Sequence, residues 1–319
     1  MKSKKPTICS LFAGIGGIEL AFEQAGFKTV WANEIDKYAC RTYRLNFPQV
    51  KLVEGDIRDI DASTIPHCDV LTAGFPCQTF SSVGLQKGFD DERGNLFFEI
   101  VRVLAFLKPR LIFFENVSNL EKHDSGRTFL VIKKELAKLG YTIAYKVMNS
   151  SDYGVPQQRN RIYIIGSLCS KDVEKFSFPD PTPLKHDAFY YLSKERQLES
   201  YYLDRHKRWA EIKEAVVDPK RIYRFTDWGF SKSREGICPT LLAAMGSTQF
   251  ERIPFFLDGH SIRKITQSEA AALQGFPKTF QFDYKAPKQV YKQIGNSVCV
   301  PVVKMIALGV KTLLSEKQN

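Results

Sequence analysis

Side chains able to do nucleophilic chemistry follow several strand-like segments of this 319-residue chain. Cys77 comes shortly after the apolar run Val70–Ala73, and Glu115 directly follows the next such run. Arg159 and Arg161 lie two residues apart in a segment predicted to be extended, so their side chains share one side. A thiolate can add to an electron-poor carbon, while a carboxyl group and a guanidinium stabilise the developing charge. Although a lone cysteine is more often a small buried hydrophobe, these residue types predict a nucleophilic site.

A glycine-rich loop follows the first predicted strand, with the sequence Phe12-Ala13-Gly14-Ile15-Gly16-Gly17. Such a loop lets the backbone approach a ligand, and a structural tight turn is the alternative when the loop is considered alone. Glu34 ends the second strand, where an acid can accept hydrogen bonds from ribose hydroxyls. Asp56 and Ile57 follow the third strand and could bind an adenine amine and cover its ring. Each acid alone is equally compatible with a cap or a surface position, whereas the three strand ends together predict an adenosine site.

Short apolar strands alternate with helical patterns in the first part of the chain. Strands are predicted at Thr7–Phe12, Thr29–Ala32, Lys51–Val53, Val70–Ala73, Leu111–Phe114, Tyr141–Asn149 and Arg161–Ser167, and helices at Gly17–Ala25, from about Lys37, at Phe97–Phe106 and at Gly126–Leu139. This alternation indicates an α/β fold with a mostly parallel sheet and helices on both faces. Ligands on such sheets bind outside the carboxyl ends of the strands.

The pattern changes at the proline-rich segment 178–183, which can sustain neither a helix nor a central strand. We therefore predict a catalytic and cofactor-binding domain at 1–180 and a smaller domain with a hinge at 181–286. Residues 287–319 form the third predicted segment, in which Val298–Leu314 has helical spacing and is expected to pack back on the first domain.

Composition limits the classes of protein that this chain can represent. Hydrophobic residues make up 44% and charged residues 25%, and no apolar run approaches the ~20 residues of a membrane span. Seven cysteines without a CxxC pair or zinc-ligand spacing argue against a metal site and a disulfide framework. We expect a cytoplasmic protein without a metal or a membrane partner. The net charge of +11 favours a nucleic acid partner, although solvated surface lysines would explain it equally well.

Five ordered motifs make the chain resemble the C5-cytosine DNA methyltransferases, especially the bacterial enzymes of restriction-modification systems. They are Phe-Ala-Gly-Ile-Gly-Gly at 12–17, Gly-Phe-Pro-Cys-Gln at 74–78, Glu-Asn-Val at 115–117, Gln-x-Arg-x-Arg at 157–161 and Gly-Asn-Ser-Val at 295–298. Their order and spacing cover nearly the whole chain. The resemblance implies a Rossmann-like S-adenosylmethionine-dependent methyltransferase fold with a smaller DNA target-recognition domain.

The resemblance also implies a reaction and its catalytic residues. Cys77 would add to C6 of a cytosine flipped out of duplex DNA, so that C5 can take a methyl group from S-adenosylmethionine. Glu115 would contact N3 and the exocyclic amine, and Arg161 would hold the base carbonyl. Arg159 would order the active site and a nearby phosphate. Three further residues would position the loop and the base: Gln78, Ser81 and Asn116.

The cofactor site implied by the resemblance includes the residues of the glycine loop, those that follow the next strands, and residues further along the chain. It comprises Phe12, Gly14, Gly16, Gly17, Glu34, Ile35, Asp56, Ile57, Pro76, Leu96, Asn296 and Val298. Ile35 departs from relatives that place a tryptophan against the adenine. The loop after Cys77 contains Gly84, Gly88 and Gly94 and would close over the base, although an ordinary surface loop explains these glycines too. Val83 departs from relatives with a polar residue there.

In the second domain, the resemblance places Thr240 on a target-strand phosphate and makes Arg263 organise the DNA-binding region. The alternative for Arg263 is an exposed basic residue before a helix capped by Thr266 or Ser268. Base contacts are expected from Arg221–Arg234 or Gly246–Arg252, because arginine can bind guanine bidentately. The enzyme is expected to act as a monomer, with a cognate restriction endonuclease as an independent companion.

Three other functions fit parts of the sequence. A transfer RNA cytosine methyltransferase would share the motifs, but Arg224-Phe225-Thr226 lacks the cysteine of that branch's Cys-Phe-Thr signature. A non-catalytic DNA-binding paralogue would have no need for Cys77, Glu115 and both arginines. An NAD-dependent oxidoreductase would share the glycine loop and strand-end acid, but not the Pro-Cys-Gln and Glu-Asn-Val motifs.

Overall fold

The computed structural model describes residues 5–76, 96–226, 229–247 and 252–315. These residues form two compact units. The first comprises the described residues of Met1–Met148, Asn160–Pro179 and Val303–Asn319, and the second those of Asn149–Arg159 and Asp180–Val302. The second unit thus includes 149–159 and 287–302 in addition to the predicted segment 181–286.

Alternating strands and helices build most of the first unit. The strands are β1 (Thr7–Leu11), β2 (Lys28–Glu34), β3 (Lys51–Glu54), β4 (Val70–Ala73), β5 (Leu111–Val117), β6 (Thr142–Asn149) and β7 (Asn160–Ser167). The helices are α1 (Gly17–Gln24), α2 (Lys37–Asn46), α3 (Leu96–Leu107), α4 (Arg127–Lys138) and α5 (Ser170–Lys175). The predicted strands and helices are therefore confirmed, with their ends shifted by a few residues.

Seven strands in the described part of the chain form one sheet in the order β3-β2-β1-β4-β5-β7-β6. Strands β1 to β5 pair in parallel, and β7 runs antiparallel to β5. The prediction of a mostly parallel sheet is confirmed. The strand order reverses at β1, with β2 on one side and β4 on the other, and such a switch point leaves a crevice at the carboxyl ends of the strands.

Alternating side chains attach helices to both faces of this sheet. On one face, Leu71 and Ile112 belong to an apolar cluster that includes Phe97 of α3 and Phe129 of α4. On the other face, the ring of Phe113 contacts Phe22 of α1, with ring centroids 5.2 Å apart. Neighbouring residues of a strand point to opposite faces, so an apolar run such as 111–114 is buried on both sides.

The last helix of the described chain, Val300–Ser315, is α9 in chain order. It packs largely within the first unit. Lys311 donates a hydrogen bond of 3.0 Å to the carbonyl of Ala25, and Arg110 donates one of 2.9 Å to the carbonyl of Leu313. The helical character predicted for Val298–Leu314 is confirmed from Val300 onward. The described residues from Val303 onward group with the first unit, whereas 287–302, which were predicted to return with them, group with the second.

The second unit is built on a smaller antiparallel sheet. Its strands are β8 (Tyr223–Thr226), β9 (Gly229–Lys232), β10 (Phe255–Leu257) and β11 (Ile262–Lys264), in the order β11-β10-β8-β9. Its helices are α6 (Trp209–Ala215), α7 (Gln267–Leu273) and α8 (Pro287–Asn296). One face of this sheet is covered by an apolar cluster that includes Tyr223, Phe225, Phe255, Ile262 and Ile212 of α6.

Short 3₁₀ turns connect these elements in both units. They lie at Ile57–Asp59, Ala62–Thr64, Ser118–Glu121, His123–Gly126, Ser150–Asp152, Ala188–Tyr191, Glu199–Tyr201 and Ala243–Gly246.

Arg263 of β11 organises the second unit from within. Its side chain has no exposed surface and forms ion pairs of 2.8 Å with both Asp258 and Glu269. Its guanidinium also lies over the ring of Phe256, 4.5 Å from the centroid. Although burial alone would lower the pKa of Arg263, Glu269 and Asp258 raise it. The alternative of an exposed residue is therefore wrong, and direct DNA contact by so buried a side chain is excluded in this arrangement.

The helix after Arg263 begins as its sequence predicts. Thr266 caps α7, and its side chain accepts a hydrogen bond from the amide of Glu269, while the carboxylate of Glu269 accepts one from the amide of Thr266. This reciprocal pair is the capping box that a threonine followed by a glutamate favours. Glu269 thus holds both the start of α7 and the guanidinium of Arg263.

Among the described residues, no single helix has the length and apolar character to cross a membrane, while α8 and α9, bent by 41°, satisfy that test only as a pair.

We predict that Arg263→Ala lowers the free energy of unfolding by about 3–5 kcal/mol, because it leaves two buried carboxylates without their cation. Arg196→Ala is the control, since Arg196 forms an exposed pair with Glu199 and exposed pairs contribute under about 1 kcal/mol. Urea unfolding followed by circular dichroism measures both. Equal losses in the two variants would contradict a structural role for Arg263.

Candidate active site

Asn116 holds the backbone that leads to Cys77. Its side-chain amide donates a hydrogen bond of 2.8 Å to the carbonyl of Phe75, and its side-chain oxygen accepts one of 2.8 Å from the amide of Val117. The ring of Phe75 is buried and contacts that of Phe114, with centroids 6.0 Å apart. The segment just after β4 is therefore anchored to the end of β5.

Glu115 and Arg161 meet on the strands β5 and β7. In the antiparallel register Val117 faces Arg161 and Glu115 faces Tyr163, so Glu115 and Arg161 are diagonal neighbours on one face. Arg161 Nε lies 3.0 Å from Glu115 Oε1, and both side chains are largely buried. A Cβ atom on Gly74 would lie 4.0 Å from the other oxygen of Glu115. The end of β4 thus approaches this carboxyl group, and the predicted pairing of carboxylate and guanidinium is present.

The side chain of Arg159 binds backbone carbonyls of the second unit, to which Arg159 belongs. Its buried guanidinium donates hydrogen bonds to the carbonyls of Leu241 at 2.9 Å and Gly295 at 3.2 Å, and also to that of Ser297. Arg159 lies just before β7, which begins at Asn160, and the shared side expected for Arg159 and Arg161 stays a prediction. The role of Arg159 toward a phosphate stays a prediction.

The glycine loop after β1 adopts backbone conformations that favour glycine. Gly14 has φ +58° and Gly16 has φ +91°, in the left-handed region. A Cβ atom on Gly16 would lie 2.2 Å from the ring of Phe47, so the loop packs closely against the end of α2. Gly16 is also the N-cap of α1, where no side chain of the described residues caps the helix. Amide groups at such a start are available to an anionic ligand.

Glu34 connects the end of β2 to this loop. One of its carboxylate oxygens accepts a hydrogen bond of 2.7 Å from the amide of Gly14. The other accepts hydrogen bonds from the amides of Ile35 at 2.9 Å and Asp36 at 2.7 Å. Burial raises the pKa of Glu34, and the amides partly offset that effect. Because a carboxylate oxygen can accept two hydrogen bonds, the oxygen bound to Gly14 can still accept one from a ligand.

Asp56 and Ile57 follow β3 as predicted, but both make other contacts. Arg58 hydrogen-bonds both carboxylate oxygens of Asp56 at 2.6–3.0 Å, and this interaction lowers the pKa of Asp56. Ile57 is 2% exposed and packs in the apolar cluster beneath the sheet. Their adenine contacts stay predictions.

The other predicted cofactor residues of the first unit vary in exposure. Ile35 is 62% exposed, Pro76 is exposed, and Phe12 and Leu96 are half-buried. An exposed isoleucine beside the acid at the end of β2 is consistent with a face for a flat ring. Gly17 is buried at the first position of α1.

Three predicted residues lie in the second unit. Asn296 ends α8 and is exposed, whereas Val298 is buried. Thr240 is half-buried and its hydroxyl donates a hydrogen bond to the carbonyl of Gln158. Their contacts with a cofactor or a phosphate stay predictions. Several predicted positions lie outside the described residues, namely Cys77, Gln78, Ser81, Val83, Gly84, Gly88 and Gly94.

Glu19, which the sequence interpretation missed, is a buried acid in the helix that follows the glycine loop. Its side chain has no exposed surface, and neither oxygen has a hydrogen-bond partner among the described residues. Burial raises the pKa of Glu19 to about 8; the backbone amide of Glu19 and the nearby Ser10 hydroxyl oppose this rise, and the charges of Glu23 and Glu34 add to it. A carboxyl group between Ile18 and the buried Phe22 of α1 was the available signal, since Glu19 falls on the apolar stripe.

We predict that the free energy of unfolding of Glu19→Gln, relative to that of the wild type, is higher at pH 8 than at pH 5. The ordinary pKa of 4.5 applies to the unfolded chain and the value of about 8 to the folded protein. The stability that this proton contributes is therefore complete below pH 4.5 and is lost as the pH rises towards 8, by roughly 4 kcal/mol. Urea unfolding of both proteins at several pH values measures the difference. A gap that does not change with pH would contradict a protonated Glu19.

Comparison with known proteins identifies the family of this arrangement. The family model described as C-5 cytosine-specific DNA methylase matches residues 7–312. The chain is 44% identical to the Type II methyltransferase M.Bsp6I of Bacillus sp. (strain RFL6), an alignment that covers 94% of this chain and 96% of that protein. It is 42% identical to the Type II methyltransferase M.NlaX of Neisseria lactamica, with 97% of each chain covered.

A solved structure shows the same fold. The structure of the Entamoeba histolytica methyltransferase EhMeth superimposes with a TM-score of 0.77 at 21% sequence identity, covering 98% of this chain and all of that one. The sheet order, the glycine loop and the strand-end residues described above therefore belong to a methyltransferase fold. The chain belongs to the family of C-5 cytosine-specific DNA methylases.

Proposed function

We propose that this enzyme methylates C5 of a cytosine flipped out of a short specific sequence of duplex DNA, with Cys77 as the nucleophile. The observation that carries this proposal is the pairing of Glu115 with Arg161 at the edge where Asn116 anchors the backbone before Cys77. The first unit would hold the reaction and the cofactor. The second would recognise the target, as its large basic segments suggest.

The chemistry follows from the low nucleophilicity of C5. The sulfur of Cys77 forms a bond to C6, and the electron pair of the C5–C6 double bond is delocalised towards N3 and the base carbonyl. Glu115 hydrogen-bonds N3 and the exocyclic amine, and Arg161 hydrogen-bonds the carbonyl oxygen. C5 would then bond to the methyl group as the bond from that carbon to the sulfonium sulfur breaks, with S-adenosylhomocysteine as the leaving group. Loss of the C5 proton to a base or water restores the double bond as the sulfur leaves C6.

S-adenosylmethionine supplies an electrophilic methyl group when it is bound. The residues present fit this ligand, because Glu34 Oε2 can accept a hydrogen bond from a ribose hydroxyl while it also holds Gly14. The uncapped amides at the start of α1 fit the carboxylate of the methionine part. The remaining ten residues of the predicted cofactor set would complete the site, with Phe12, Ile35 and Ile57 against the adenine.

The biological setting is proposed from the relatives. M.Bsp6I and M.NlaX are Type II methyltransferases, so protection of DNA from a cognate endonuclease in the bacterial cytoplasm fits best. We propose that the enzyme acts as a monomer that needs no metal. A transfer RNA substrate is the second candidate, which the motifs alone would allow.

We predict that Cys77→Ser abolishes methylation but preserves DNA binding, because a hydroxyl is a far weaker nucleophile towards C6. Base-resolution bisulfite sequencing of DNA from a strain without cytosine methylation measures the reaction in cells that express either protein. The wild type should protect cytosines in one short sequence. Methylation by the serine variant would contradict the covalent step, and no protected cytosine with folded wild type would favour the RNA substrate.

We predict that Glu34→Ala weakens S-adenosylmethionine binding by at least about tenfold, which corresponds to the loss of a hydrogen bond to a charged group. Glu54→Ala is the matched control, because Glu54 lies opposite Glu34 in the sheet and forms a surface ion pair with Arg44. Calorimetric titration measures both affinities. Unchanged affinity of the Glu34 variant would exclude its role in the site.

A further inference from the structure

The strand β8 presents two chemically different faces. Tyr223 and Phe225 are buried in the apolar cluster of the second unit, whereas Arg224 and Thr226 alternate with them and are half-buried. Because successive side chains of a strand point to opposite faces, Arg224 lies on the face away from that cluster. Ser231 of β9 is directly opposite Arg224 in the register. This face of β8 and β9 is therefore polar.

Arg252 approaches Arg224 through the pairing of β8 with β10. Phe255 lies opposite Tyr223 in an antiparallel pair, so the residues before Phe255 run beside those after Tyr223. Burial lowers the pKa of Arg224, and the positive charge of Arg252 lowers it further. The guanidinium groups of Arg224 and Arg252 are therefore close together. These two residues come from the two segments in which base contacts were expected.

Neighbouring arginines of the second unit are neutralised by acids, unlike Arg224. Arg221 pairs with Asp218 at 2.8 Å, and Arg208 pairs with Glu211 at 2.8 Å. Within the described ranges, Arg224 forms no ion pair, and its hydrogen bond to the carbonyl of Thr240 is long at 3.4 Å. A guanidinium cannot release its proton, and burying it beside a like charge is unfavourable. This arrangement favours an anionic ligand.

We propose that Arg224 and Arg252 together hold one phosphate of the DNA backbone. The proposal rests on the DNA substrate proposed above. A phosphate has two non-bridging oxygens, each able to accept hydrogen bonds from more than one donor, whereas the two acceptors of a guanine edge are filled by a single arginine. The hydrogen bond from Arg224 to Thr240 places this phosphate beside a residue that the resemblance assigns to the backbone of the target strand.

The test compares full-length Arg224→Gln, Arg252→Gln and the double variant with wild type. Binding of a duplex that contains the methylated sequence is measured over a range of salt concentrations. Each single variant should bind about tenfold more weakly. The double variant should lose about one unit from the slope of log affinity against log salt, as expected for one phosphate. The methylated sequence itself should not change. Arg196→Gln, with an exposed ion pair to Glu199, is the charge-matched control.

Thermal unfolding without DNA separates this role from a structural one. Arg224→Gln should unfold at the same or a higher temperature, because it removes a half-buried charge that lacks an acid. A lower unfolding temperature with unchanged DNA affinity would overturn the proposal. A changed target sequence would also overturn it, in favour of base contact, and a slope loss near two units would indicate separate phosphates. If wild type itself bound no duplex DNA, the proposed function would fail rather than this assignment.

Discussion

The reversal of strand order at β1 is the constraint on which the first unit's site depends. The backbone leaves β1 and β4 at neighbouring carboxyl ends, and Gly14 after β1 and Phe75 after β4 lie outside the strands. Polar side chains at the ends of adjacent strands bind the backbone at these two points. Glu34 binds the amide of Gly14 after β1, and Asn116 binds the carbonyl of Phe75 after β4. The residues that shape the crevice are therefore the same ones that satisfy its backbone.

Sequence alone predicted the strands of the first unit because they are short apolar runs buried on both faces, as for Val70–Ala73. It did not give the antiparallel direction of β7, since an apolar run has no signature of direction. Arg159 lies just before β7, which begins at Asn160, and the two-residue repeat could not predict its hydrogen bond to the carbonyl of Leu241. Arg161, one residue inside the strand, was placed correctly beside Glu115.

The second unit was harder to predict because its strands are short and their pairing is not local in sequence. The strand β8 pairs with β10, roughly thirty residues further on, and three or four residues carry too little periodicity to reveal this. Local signals did succeed there, as the cap at Thr266 shows. The burial of Arg263 could not be predicted from its neighbours, because Asp258 and Glu269 become partners only through the turn between β10 and β11 and the start of α7.

Two ionisable groups of the described residues, Glu19 and Arg224, have no oppositely charged partner, and they differ in whether they can lose their charge. Glu19 can remain protonated when buried, so its position makes the free energy of unfolding depend on pH. Arg224 stays charged at any physiological pH, as does the Arg263 guanidinium that two carboxylates neutralise. Arg263 and Arg224 lie on the same small sheet, but only Arg263 has its counter-ions among the described residues. Arg224 has the cation of Arg252 as its neighbour, which is the arrangement expected where the counter-ion belongs to a bound polyanion.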